Sequence, residues 1–201
     1  MILTSWNILD LISEIGEDSL KIITETFSCV KSSEGNRKNL NPDIERFLKE
    51  NAVQFAKEKK SVTYLVGNEE YGDILGYFTI AHKAISIPAD GLSKTMIKRM
   101  SRYSVLNDET NSFTVSGFLI AQIGKNYSVE DGTLLSGAEL MRLAYNELIE
   151  IQHRVGGGIV YLDCEADARL IDFYESEGFK LFGERISLND GKRYLQYMKF
   201  I

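Results

Sequence analysis

Apolar positions along this chain recur in two rhythms, near 3.6 residues and at 2, and their order predicts a mixed α/β fold. Trp6, Leu9, Ile12 and Ile15 keep a helical i, i+3 spacing, with Thr4 or Ser5 placed to cap the start and Gly16 to end it. Ser19 to Val30 is rich in β-branched residues and predicts a strand, and Gly35 to Asn41 a polar loop. Pro42 suits a first helical turn, and Ile44, Phe47, Leu48, Val53, Phe55 and Ala56 carry one helix on to the charge run Lys57-Glu58-Lys59-Lys60. Ser61–Val66 and Ile74–Ile80 read as the arms of a hairpin around a polar turn. The basic stretch Lys94 to Tyr103 fits either a short helix or a loop, and Phe113 to Ile123 returns to strand character.

The second half alternates cleanly. After the strand to Ile123 come a loop over 124–135, a helix over 136–153, a strand over 158–164, a helix over 167–177, and two strands over 179–188 and 193–200. Strand–helix–strand succession requires at least one parallel crossover. No repeat, Pro/Ser-rich linker or low-complexity tract interrupts it, so the expected organisation is one domain over 1–201. Residues 1–20 are its helical appendage, serving either as a dimer contact or as an extra packed helix.

Composition narrows the class. With 201 residues, 44% of them hydrophobic and only two Pro, the chain can bury a full core, which excludes disordered, collagen-like and disulfide-stapled classes. Cys29 and Cys164, like His82 and His153, are scattered without ligand spacing, so no metal is expected. No apolar run approaches 18 residues and no basic leader precedes the first apolar positions, so a cytoplasmic protein without membrane attachment is expected. Formal net charge is −6, but residues 130–190 hold 13 Asp/Glu against 5 Lys/Arg, leaving the remainder slightly basic.

Chemistry enters at the helix over 136–153. Ser136-Gly137-Ala138-Glu139 is a capping box: the Ser136 hydroxyl can accept the Glu139 amide while the Glu139 carboxylate reaches back to the Ser136 amide. A glycine-bearing helix start after a strand and loop leaves backbone N–H groups and the positive end of the helix dipole free for a phosphate.

From Asn41 onward the chain resembles the GNAT superfamily of N-acetyltransferases. The residues that carry the resemblance are Gly76-Tyr77-Phe78-Thr79-Ile80, then Phe118-Leu119-Ile120-Ala121-Gln122-Ile123, then the loop and helix opening at Gly137, and last Phe173-Tyr174-Glu175-Ser176-Glu177-Gly178-Phe179. The resemblance implies a mixed, centrally splayed sheet flanked by helices, and an enzyme using acetyl-CoA. It implies that the backbone of Ile120, Ala121, Gln122 and Ile123 holds the pantetheine arm, that Lys125, Asn126, Ser136, Gly137 and Ala138 hold the pyrophosphate, and that Asp167 stands near the pantetheine, where relatives place an asparagine. Tyr174 is implied as the general acid that protonates the departing CoA thiolate. The family's glycine-rich phosphate signature is altered here, since Gly132-Thr133-Leu134-Leu135-Ser136-Gly137 has Leu where the central Gly belongs.

For the base that deprotonates the amine, Glu165 at the end of its strand is the candidate; His82 could face the acceptor pocket, and Cys164 reads as core. The acceptor is expected to be a small-molecule or peptide amine. Asn41 to Lys60 followed by Gly-Tyr-Phe-Thr is also similar to the branch containing toxins that acetylate charged tRNA, and the basic clusters Lys57/Lys59/Lys60 and Lys94/Lys98/Arg99/Arg102 are what would bind RNA. A catalytically idle CoA-binding or protein-binding module is the alternative of a different class, and either a monomer or a homodimer fits.

Overall fold

The computed structural model describes residues 2–33, 36–39, 41–69, 72–129, 135–187 and 191–201. In chain order the elements are β1 (Leu3–Asn7), α1 (Ile8–Ile15), α2 (Glu17–Glu25), β2 (Val30–Ser33), β3 (Asn36–Asn39), α3 (Pro42–Glu50), α4 (Ala52–Lys57), β4 (Val62–Asn68) and β5 (Ile74–Pro88). They continue with α5 (Lys94–Met100), β6 (Leu106–Asn107), β7 (Ser112–Lys125), α6 (Gly137–Val155), β8 (Ile159–Glu165), α7 (Ala168–Ser176), β9 (Lys180–Ile186) and β10 (Arg193–Phe200). Strands pair in the order β1-β4-β5-β7-β8-β10-β9, with β6 on β7, and β2 and β3 form a separate hairpin. This is the GNAT-like mixed α/β arrangement expected: β7 and β8 are parallel, with Phe118 opposite Val160 and Leu119 opposite Tyr161, and α6 is the crossover between them.

The chain divides into two compact units, Met1–Ala81 with Ile120–Glu147, and His82–Leu119 with Leu148–Ile201. In the first, Ile8, Leu20, Phe27, Leu48, Ala52, Leu65 and Tyr77 form a buried cluster. Each large side chain so removed from water contributes roughly 1.5–3 kcal/mol before entropy is set against it. Tyr77 reconciles its hydroxyl with that burial by donating to the Ile44 carbonyl at 2.6 Å. Gly76 beside it is a packing necessity, since a Cβ there would lie 2.8 Å from Leu135 Cδ2 and 2.9 Å from the Gly124 carbonyl. The start of α6 therefore sits close against the strands.

Four sequence expectations change in this unit. The N-terminal helix starts at Ile8, capped by Asn7 Oδ1 rather than Thr4 or Ser5, and Leu3–Asn7 is instead a strand antiparallel to β4. Ser19 to Glu25 is helical and not extended: Glu17 and Asp18 favour a helix start, and Leu20 and Thr24, four apart, turn into the core while Ile22 stays 70% exposed. Packing on one helical face outweighs the strand preference of Ile22, Ile23 and Thr24. The segment Asn36–Asn39, expected as loop, pairs with Val30–Ser33. The helix from Pro42 is broken at Asn51, whose backbone leaves helical geometry, yet Leu48, Ala52 and Ala56 stay on one buried face.

In the second unit, Ile87, Met100, Phe113, Val115, Ile159, Tyr161, Phe182 and Met198 make the core. β5 runs to Pro88, past the Ile80 expected, because Ile85 and Ile87 keep the alternation that turns apolar side chains inward. The basic stretch is a helix from Lys94, capped by Ser93 Oγ on the Met96 amide, with Met100 buried and the lysines outward.

Candidate functional site

In the first unit, β7 ends in Ile120–Lys125 and delivers Asn126. Asn126 is 1% exposed, and its side-chain oxygen, side-chain nitrogen and backbone amide are all engaged. Its Oδ1 accepts from the Ser28 amide (3.0 Å), the Ser128 amide (3.0 Å) and the Ser128 hydroxyl (2.8 Å), its Nδ2 donates to the Ile74 carbonyl (2.7 Å), and its own amide donates to the Leu75 carbonyl (2.8 Å). These bonds tie three segments together around Asn126, the residue that the resemblance assigns to the pyrophosphate. Lys125 is half-buried, and desolvation, with Lys31 nearby, pushes its ammonium below the ordinary lysine range, while Glu139 opposes the shift.

The capping box is formed as read. The Ser136 amide donates to Glu139 Oε2 at 2.8 Å and the Glu139 amide to Ser136 Oγ at 3.1 Å, and these bonds hold the Glu139 carboxyl below the usual carboxylate range. Ser136 is therefore occupied. The amides left without an intrahelical acceptor at the start of α6 are those of Gly137 and Ala138. Gly132, Thr133 and Leu134 of the altered loop lie outside the described residues.

The second unit carries Tyr174 on α7. The helix is fixed at both ends. Asp167 is its N-cap, accepting the Arg169 amide at 2.9 Å, and its carboxyl is held low chiefly by the hydrogen-bonded Arg169 side chain. At the other end the Gly178 amide bonds the Glu175 carbonyl and the Phe179 amide bonds the Tyr174 carbonyl, both at 3.0 Å, with Gly178 at φ +85°. That is a Schellman closure, which explains the glycine of the Phe-Tyr-Glu-Ser-Glu-Gly-Phe run: only glycine takes this backbone without strain. Phe179 then folds back edge-on to the Tyr174 ring, centroids 5.9 Å apart, and Phe173 and Tyr197 complete its surround.

Tyr174 is 7% exposed, and among the described residues its hydroxyl has no hydrogen-bond partner. Burial, with Cys164 beside it, drives the phenol above its ordinary range, so it holds its proton at any working pH. Cys164 is buried as expected. Glu165, in contrast, is a half-exposed carboxylate bonded to Lys192 Nζ at 2.6 Å, which leaves it committed to a surface ion pair. Sequence reading passed over Ser116. Its Oγ lies 2.8 Å from His82 Nε2, and the His82 ring lies against Phe118, tilted by 30° with centroids 5.0 Å apart. Among the described residues no group of three His, Cys, Asp or Glu could hold a metal ion, and no helix is long and apolar enough to cross a membrane.

Buried thiols and phenols set an alkaline limit on stability. Burial pushes Cys29 from 9.0 up to about 12, Cys164 from 9.0 to about 11 and Tyr161 from 10.0 to about 12. The unfolded chain releases these protons where the folded chain keeps them, so stability is full below about pH 9 and falls as pH climbs toward 12. Under reducing conditions the denaturation midpoint should drop between pH 8 and 10.5, and a Cys29→Ala/Cys164→Ala variant should lose less over that range. Equal losses would show that the thiols are not responsible.

No protein-family model matches this sequence, and no curated protein does. Solved structures do. A tyrosine-to-phenylalanine mutant of the AtaT toxin aligns with a TM-score of 0.60 at 15% identity, covering 98% of this chain and 89% of that one. AtaT complexed with acetyl-methionyl-tRNAfMet aligns with a TM-score of 0.61 at 16% identity over 96% of this chain and 94% of that one. A tyrosine-to-phenylalanine mutant of KacT gives 0.60 at 16% identity over 98% and 95%. AtaT has also been solved with acetyl-CoA and the C-terminus of the antitoxin AtaR. The fold is shared along the whole chain.

Proposed function

We propose that this chain is an acetyl-CoA-dependent N-acetyltransferase acting in the cytoplasm, and that its acceptor is the amino group carried on a charged tRNA. The observation that carries the reading is the likeness, over nearly the full length, to AtaT, a toxin solved both with acetyl-CoA and with acetyl-methionyl-tRNAfMet. The residues fit the cosubstrate. The Gly137 and Ala138 amides and the Lys125 ammonium offer donors for phosphate oxygens, and the backbone of Ile120, Ala121, Gln122 and Ile123 is assigned to the pantetheine arm. Acetyl-CoA supplies an acetyl group already activated as a thioester. Tyr174, protonated and without a competing partner, gives its phenolic proton to the departing sulfur.

The shift of acceptor from a small amine to charged tRNA rests on those neighbours together with one feature of the second unit: Lys94, Lys98 and Arg102 stand exposed on α5 and the turn after it. Arg99 is partly spent on packing, its guanidinium 4.1 Å from the Phe200 ring centroid. Radiolabelled acetyl-CoA, offered with total tRNA charged in vitro, should yield N-acetyl amino acids on alkaline hydrolysis of the RNA, and uncharged tRNA should yield none. Thermal stabilisation by acetyl-CoA without transfer to charged tRNA or to a panel of small amines would overturn the enzyme in favour of a CoA-binding module. Transfer to small amines alone would overturn only the acceptor.

A further inference from the structure

Acetyl transfer needs a group to take a proton from the amine, and Glu165 is tied to Lys192. One exposed imidazole in the second unit is built differently. His82 lies on β5 and is held by two side chains of β7, Ser116 through a 2.8 Å hydrogen bond to Nε2 and Phe118 through a tilted ring contact. Among the described residues its Nδ1 has no partner. In the tautomer whose Nε2–H donates to Ser116 Oγ, the Nδ1 lone pair is left open toward solvent.

Register places this imidazole on the same face of the sheet as Tyr174. Ser116 and Phe118 are two apart on β7 and share a face. Phe118 is opposite Val160 in the parallel pair with β8, and Leu162 and Cys164 follow on Val160's face. Tyr197 is opposite Leu162 on β10, and the Tyr174 ring packs against Tyr197, with Cys164 among the groups acting on its phenol. An exposed base and a buried acid thus stand on one surface of one unit.

We infer that His82 takes the proton from the attacking amine, and that Ser116 positions the ring by holding Nε2 so that the Nδ1 edge is presented to the amine. This rests on the acetyl-transfer reading above. The amine gives its proton to His82 Nδ1 and its nitrogen bonds to the thioester carbonyl carbon. The carbon–sulfur bond then breaks, and the sulfur receives the Tyr174 proton. His82 then releases its proton to water and the Tyr174 phenolate takes one back from water, so both groups are restored and no further reactant is needed.

The test compares wild type with His82→Ala and Ser116→Ala, using acetyl-CoA and charged tRNA. His82→Ala should lower kcat about 100-fold or more, as loss of a general base does. Acetyl-CoA affinity and the thermal midpoint should hold, because the side chain is exposed. Added imidazole should restore turnover to this variant, and a series of substituted imidazoles should do so more strongly as their basicity rises, while wild type ignores them. Ser116→Ala should show a smaller loss confined to kcat. If wild type transfers no acetyl group, the function and this inference fall together. If wild type is active and His82→Ala equals it, or its loss is not relieved by any imidazole, this inference alone is overturned.

Discussion

Tyr174→Phe is expected to abolish most turnover while leaving the protein as stable as before. A proton donor positioned at a leaving group contributes roughly 10²–10⁴ in rate, about 3–5 kcal/mol of barrier at 1.36 kcal/mol per tenfold. In most buried tyrosines the same change also removes a hydrogen bond, and lost activity is then confounded with lost stability. Here the hydroxyl has no partner among the described residues, so its removal leaves no orphaned group behind. The ring contacts with Phe173, Phe179 and Tyr197 persist in phenylalanine. Acetyl-CoA should still raise the thermal midpoint of the variant by as much as it raises that of wild type, with kcat down at least 100-fold. Wild-type kcat in Tyr174→Phe would remove Tyr174 from the chemistry.

Asn126→Ala should do the opposite, lowering stability heavily through the loss of a buried hydrogen-bonding clamp. The change strands the Ser28 and Ser128 amides and the Ile74 carbonyl beside a side chain only 1% exposed. Buried groups left unpaired cost about 1–3 kcal/mol each, and relaxation and water entry keep the total on the order of 3–5 kcal/mol. Asn126→Asp should fare no better: it keeps an acceptor for the two amides but turns a carboxylate oxygen toward the Ile74 carbonyl and buries a charge. Urea unfolding of both variants measures this directly. A loss under about 1 kcal/mol would mean that the three segments hold together without the clamp.

The contrast between these two residues shows what the sequence could convey. The packing around Tyr174 was legible because it is local: a run of seven residues holds the tyrosine, the glycine at φ +85° and the phenylalanine that packs back on it. The Ser136–Glu139 box was legible for the same reason, with both bonds spanning three residues. The clamp that Asn126 makes was not legible, because its partners Ile74 and Ser28 lie 52 and 98 residues away. Nothing near it in the chain distinguishes a buried clamp from a phosphate ligand. The pair His82–Ser116, separated by 34 residues, went unseen on the same ground. The N-terminal errors have another origin. Ile22, Ile23 and Thr24 favour extended backbone taken singly, and only the burial of Leu20 and Thr24 on one side of α2 decides for a helix.

The double closure of α7 has a consequence for how such a protein can change. Asp167 bonds two residues ahead, and Gly178 and Phe179 bond back to Glu175 and Tyr174, so the nine-residue helix is terminated by its own immediate neighbours. The pitch and reach of the tyrosine are therefore a portable property of about a dozen consecutive residues, largely independent of the distant surfaces of the fold. Substitutions that recast those surfaces can accumulate without re-aiming the tyrosine. A lineage built this way can keep one helix and its aromatic surround while the rest of the sequence drifts, which fits a fold held in common at 15% identity.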